Sequence, residues 1–106
     1  MNAKGLLVML TTVSSSLNSF FFDNLAGVHA DELAGTRSNA AALVATLHKT
    51  PEEKIEVMVS KHDTELTAAL TAFQRDWQGD RLKGFRDAQI MLGFVSTVMA
   101  KSGVKG

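Results

Sequence analysis

The chain has no cysteine, which removes disulfides, thiolate metal sites and cysteine nucleophiles together. It has a single proline, Pro51, so long stretches run without a helix breaker. A dominant charge is missing as well. Eleven lysines and arginines balance eleven aspartates and glutamates, and no net field draws the protein onto nucleic acid. Strand-like alternation, linkers and low-complexity tracts are absent. The early apolar run, Leu6 to Leu10, is far shorter than the roughly 20 residues of a membrane span. Lys4 before this run and Val28-His29-Ala30 after it imitate parts of an export signal. Thr11, Thr12, Ser14 to Ser16, Asn18 and Ser19 dilute that pattern. The segment reads instead as a helical stripe of Leu6, Leu10, Val13, Leu17 and Phe21. Membrane contact through it is disfavoured, cleavage is not expected, and the compartment stays open.

What is present is helical periodicity. Between Pro51 and Gly79, residues Ile55, Val59, His62, Leu66, Ala69, Phe73 and Trp77 recur at steps of four and three, widened by Met58 and Leu70. Thr50 is placed to cap this helix, Pro51 suits its first position, and Gly79 suits a left-handed stop. The preceding stripe runs from about Lys4 through Leu25, Leu33, Ala40, Leu43 and Leu47 to His48, either continuous or broken near 23–29. Lys49-Thr50-Pro51 is a short turn that predicts antiparallel packing of the helices on its two sides. A last stripe of Leu82, Phe85, Ala88, Leu92, Val95, Val98 and Met99 is thickened by Ile90, Met91 and Phe94, and ends near Gly103. Val104 to Gly106 should fray. With 106 residues and 45% hydrophobic content, the chain suits one domain with a modest core. The predicted fold is an all-α antiparallel bundle of three or four helices, about 4–48, 51–78 and 81–102.

Two stretches repeat the pattern His-x-x-Glu-Leu: His29 with Glu32, and His62 with Glu65. Imidazole and carboxylate three apart share a helix face, and two such pairs on facing helices can build a metal centre. Pairing across the turn near Lys49 sets His62 opposite Arg37 and His29 opposite Leu70. The two histidines are then roughly 12 Å apart along the bundle. No cofactor or metal is therefore assigned, and His62 is read as a polar residue setting register. Ser14 to Ser16 lack a base beside them, and no phosphate-binding glycine loop occurs, so no enzyme activity is expected. Arg75, Arg81, Lys83 and Arg86 interleave with Asp76, Asp80 and Asp87, which reads as a solvated, self-neutralised surface. Trp77 is read as a plug at the hairpin end against Leu82 and Phe85.

Trp77-Gln78-Gly79 followed by Phe85 resembles the turn signature of the WXG family of small proteins secreted by the type VII route, over Glu65 to Met99. That resemblance implies a helical hairpin that dimerises. A second resemblance rests on Glu32-Leu33-Ala34-Gly35-Thr36-Arg37-Ser38-Asn39, on Thr50-Pro51-Glu52-Glu53-Lys54 and on Leu70-Thr71-Ala72-Phe73. Over about Leu17 to Lys101 the chain is similar to the four-helix-bundle sensor domains of bacterial chemoreceptors and sensor kinases. This implies ligand binding at a dimer interface, with Arg37 in a ligand-facing position.

Phe20, Phe21 and Phe22 cannot all face one side of a helix. Together with Trp77, Phe85, Met91 and Phe94 they exceed what three helices of this size readily bury, and are read as interface residues. The expected function is non-enzymatic: a regulatory, sensing or self-assembling module that contacts copies of itself or another helical protein. The alternatives are a secreted hairpin subunit and a small-ligand or metal-binding bundle.

Overall fold

Ala3, Leu6, Leu10, Val13, Leu17 and Phe20 fall on one line of a helix at steps of three and four and are buried along its length. In the computed structural model, which describes residues 1–23 and 28–104 with side chains placed except at 21–23, this helix is α1, Ala3–Asp23. Phe20 continues the stripe where Phe21 was expected, because Leu17 to Phe20 completes the alternation of steps. Helix α2, Ala30–His48, opens with Asp31 and Glu32 at its positive dipole end. It follows as a separate helix, so the chain takes the broken form; residues 24–27, including Leu25, lie outside the described residues.

The stretch expected as one helix from 51 to 78 is two: α3, Glu52–Lys61, and α4, Asp63–Gly79. With α5, Arg81–Lys101, the described residues form five helices and no strand. The bundle is all-α, and its helix number exceeds the three or four expected. The break falls at His62, whose backbone (φ −128°, ψ 21°) leaves the helical region. Its N–H bonds back to Val59 at 3.1 Å while its carbonyl accepts from Leu66 N–H at 2.9 Å. The ladder is thus disturbed at one residue only. The physical reason is that the two halves bury their apolar faces against different partners. Ile55, Met58 and Val59 belong to a helix packed on α1, while Leu66 and Phe73 belong to a helix packed on α5.

The partnering differs from the expectation in the same way. Helix α2 pairs with α1, and α4 pairs with α5, each an antiparallel hairpin. Helix α3 connects the hairpins and packs on α1 rather than on α2. His62 therefore does not face Arg37, whose Nε donates to Asn18 Oδ1 at 2.9 Å across the first hairpin. The start of α1 is tied to the α3–α4 junction. The N-terminal ammonium pairs with Asp63, and Ala3 N–H donates to the Glu56 carboxylate. That ammonium holds the Asp63 carboxyl below its ordinary range.

Helix ends show three further differences. Thr50 Oγ1 donates back to Thr46 O at 2.8 Å instead of capping α3. Gly79 ends α4 without a left-handed backbone; Asp80, extended at φ −142°, makes the corner and accepts from Lys83 N–H at 3.2 Å to cap α5. At the other end Gly103, at φ 73°, takes the left-handed conformation expected of it. Gly103 N–H bonds to Ala100 O at 3.2 Å and Val104 N–H to Met99 O at 2.8 Å, the paired bonds of a Schellman stop. Val104 is consequently folded back and buried rather than frayed.

Candidate functional site

The corner between α4 and α5 gathers most of the charged and aromatic side chains of the second hairpin. Trp77 lies 5.2 Å from Phe20 and 5.4 Å from Phe73 between ring centroids, and Phe20 stacks on Phe85 at 5.4 Å. The Arg81 guanidinium sits 5.0 Å over the Trp77 ring. Trp77 thus plugs the hairpin end as expected, but with Phe20 and Phe73 as neighbours; Leu82 points outward. The close approach is made at Gly84, where a Cβ would stand 2.7 Å from the Trp77 Cα.

Asp76 lies beneath this surface, 7% exposed. It accepts from Arg75 Nε at 3.0 Å and Nη2 at 3.2 Å, with Lys83 Nζ at 3.8 Å. The Arg75 guanidinium, and then a hydrogen bond with Asp87, hold its carboxyl down to about 2. Asp87 behaves in the opposite way. Its Oδ2 is shielded from water without a donor, and burial, then the neighbouring Asp76 charge, push its carboxyl up. Of the two adjoining carboxyls, Asp87 is therefore the one that takes up a proton first as pH falls. The expected solvated surface is correct for Arg86, which donates from Nη1 to Glu32 Oε1 at 2.7 Å and to Gln89 Oε1 at 2.9 Å. It is wrong for Asp76 and Asp87. Their positions, eleven apart on either side of a tight corner, were the signal that could have paired them.

A pH test follows. Since the folded Asp87 binds its proton more tightly than the unfolded chain, its contribution to stability is complete below pH 3.8 and is lost as pH rises through the raised native value. Asp76 runs the other way, stabilising above 3.8 and losing that contribution as pH falls toward about 2. Asp87→Asn supplies a donor for Asp76 and removes the charge. It should stabilise the protein by about 1 kcal/mol at pH 7, read as a rise in melting temperature that vanishes near pH 4. A loss of stability at pH 7 would refute the repulsion between the two carboxyls.

The residues considered for metal binding are not brought together. Glu32 is engaged by Arg86, His29 is exposed at the start of α2, and His62 Nδ1 lies 3.6 Å from Glu65 Oε2 within its own turn. Among the described residues no group of three or more histidine and carboxylate side chains converges as a metal site.

Of the side chains considered for an interface, Phe20, Phe85 and Met91 are buried inside the single chain and have no surface to offer. Trp77 and Phe94 pack against the core and keep part of their surface. The side chains of Phe21 and Phe22 lie outside the described ones. Surface apolar groups are found elsewhere, at Val8, Val57, Leu82 and above all Ile90, which is 70% exposed. A furrow of about 370 Å³ runs between α2 and α5, lined on one bank by Thr36, Asn39 and Ala42 and on the other by Gln89, Gly93 and Ser96. Gln89 Nε2 bridges it to Thr36 Oγ1 at 3.3 Å. Among the described residues no helix is long and apolar enough to cross a membrane.

Comparison of the chain with protein-family models, with curated proteins and with solved structures gives no match.

Proposed function

We propose that this is a non-enzymatic helical-bundle protein that works through protein contacts, pairing with a second copy of itself along the outward face of α2. The observation that supports this reading is the composition of that face. Gly35, Ser38, Ala42 and Ala45 follow one line at steps of three and four, flanked by Ala34 and Ala41, and all are exposed. Asp31 closes the line at one end and Lys49 at the other.

Side chains this small let a second helix approach toward the short end of the usual 8–10 Å axial distance. The charge order selects the direction. In an antiparallel pair, Asp31 meets the partner's Lys49 and Gly35 meets the partner's Ala45, and a two-fold axis repeats both contacts. The helix dipoles also oppose one another in this arrangement. The reading moves the interface from the phenylalanines to α2, because Phe20, Phe85 and Met91 are already used by the core. A regulatory or sensing role, which the resemblance to sensor bundles implies, would use such a pair as the unit that responds.

Light scattering on a column across a hundredfold range of concentration should give the mass of a dimer. Ser38→Arg combined with Ala42→Arg should shift it to monomer at the concentrations where the parent is paired, with an unchanged helical signal because both positions are exposed. A parent that stays monomeric throughout, or a double variant that stays dimeric, would refute the α2 pairing.

A further inference from the structure

Helix α3 carries its charges on two separate flanks. Glu52, Glu53 and Glu56 occupy one side, while Lys54 and Lys61, two turns apart, occupy the other with Val57 and Met58 between them. No glutamate of α3 stands three or four residues from either lysine, so the helix does not neutralise them itself. The acidic flank turns toward α1, where Glu56 accepts from Ala3 N–H. The basic flank turns toward the end of α5. There it borders a cleft of about 370 Å³ lined by Lys54, Val57, Met58, Lys61, His62 and Lys101.

The walls of this cleft divide into two chemistries. Met58 is buried and Val57 is 56% exposed, which gives it an apolar floor open to solvent. Around the floor stand three ammonium groups and an imidazole. Lys54 Nζ donates to Gly103 O at 2.9 Å and so joins α3 to the left-handed stop of α5. His62 is half-buried, packed edge-on to Phe94 at 6.2 Å, and the carboxylate that faces it is Glu65 at 3.6 Å. Lys61 and Lys101 are exposed.

A helix dipole accounts for Lys61 and Lys101 one at a time, since each lies in the last turn of its helix. It disfavours Lys54 in the first turn of α3, and that ammonium is held instead by the Gly103 carbonyl at the stop of α5. The dipole does not explain why three cations of a chain without net charge border one apolar floor. Mutual repulsion among like charges is relieved by an anion placed between them, and the floor adds apolar contact. We infer that the cleft between α3 and the C-terminal end of α5 binds a small amphiphilic carboxylate, its head among Lys54, Lys61 and Lys101 and its short apolar chain over Val57 and Met58. The site is independent of the α2 face and stands whether or not the chain pairs.

The test is titration of the isotope-labelled full chain with sodium octanoate, followed by amide resonances, with acetate and inorganic phosphate run in parallel. Octanoate should give saturable shifts confined to residues 54–62 and 100–103, with acetate and phosphate at least tenfold weaker. Lys61→Gln with Lys101→Gln should weaken octanoate at least tenfold, while Lys4→Gln with Lys83→Gln, away from the cleft, should leave it unchanged. The same spectra report whether each variant keeps the fold. Shifts that never saturate, equal affinity for acetate or phosphate and octanoate, or equal losses in the two double variants would each overturn the assignment.

Discussion

Gly84→Ala should be among the most damaging single-methyl additions this protein can receive. The new Cβ would stand 2.7 Å from Cα and 2.8 Å from N of Trp77, and 2.9 Å from its Cε3. Two of these atoms are backbone, so no rotamer change relieves the contact, and α4 and α5 must move apart along their closest approach. That approach also sets the stacking of Trp77 on Phe73 and its contact with Phe20. We expect a loss of about 3 kcal/mol, at the upper end for overpacking, and a drop in melting temperature of more than about 12 °C. Gly93→Ala on the same helix is the internal comparison. A Cβ there meets nothing within 4 Å, so relief of the helix-interior glycine should stabilise by roughly 0.5–1 kcal/mol. The opposite signs are the result to look for in thermal unfolding. If both substitutions fell within half a kilocalorie of the parent, the close approach at Gly84 would be wrong.

Phe20→Ala should cost about 3–5 kcal/mol, the range for removing a buried aromatic side chain. Phe20 comes from α1, yet its ring neighbours Phe85 and Trp77 both belong to the α4–α5 hairpin. It therefore supplies an aromatic fastening of one hairpin to the other, beside the polar contacts Arg86–Glu32 and Gln89–Thr36. Total stabilities of domains this size are about 5–15 kcal/mol, so such a loss leaves the bundle marginal. Urea unfolding should show an earlier midpoint with an unchanged slope. Trp77 fluorescence in the native baseline should shift to the red as water reaches the ring. Phe20→Leu keeps most of the volume and should cost less than about 1.5 kcal/mol. Equal costs for the two substitutions would mean that the aromatic contacts do not join the hairpins.

Both predictions concern the corner that tryptophan, glycine and phenylalanine mark in the sequence, and neither concerns the surfaces proposed for binding. This separation is useful experimentally. Ser38, Ala42, Lys61 and Lys101 are exposed, so changes there should alter association or ligand binding while leaving the melting temperature near that of the parent.

The amino-acid sequence by itself determined the helical class, the helix boundaries near Asp80 and Gly103, and most of the core, because periodicity and end residues are local properties carried within one or two turns. It also marked Trp77 as the plug of a hairpin end and Gly103 as a stop. Only the tertiary structure decided which stripe meets which. Periodicity shows that Ile55, Val59 and Leu66 are buried but not against what, and the break at His62 follows from the two partners, α1 and α5, lying in different directions. The same holds for Phe20, whose neighbours come from a hairpin some sixty residues later. Asp76 and Asp87 looked like members of a mixed surface until the corner set them side by side, burying Asp76 and shielding one oxygen of Asp87. The lysine cleft was hidden for a related reason. Lys54 and Lys61 are a pair on α3 in any helical projection, but Lys101 joins them only when the end of α5 is brought beside α3.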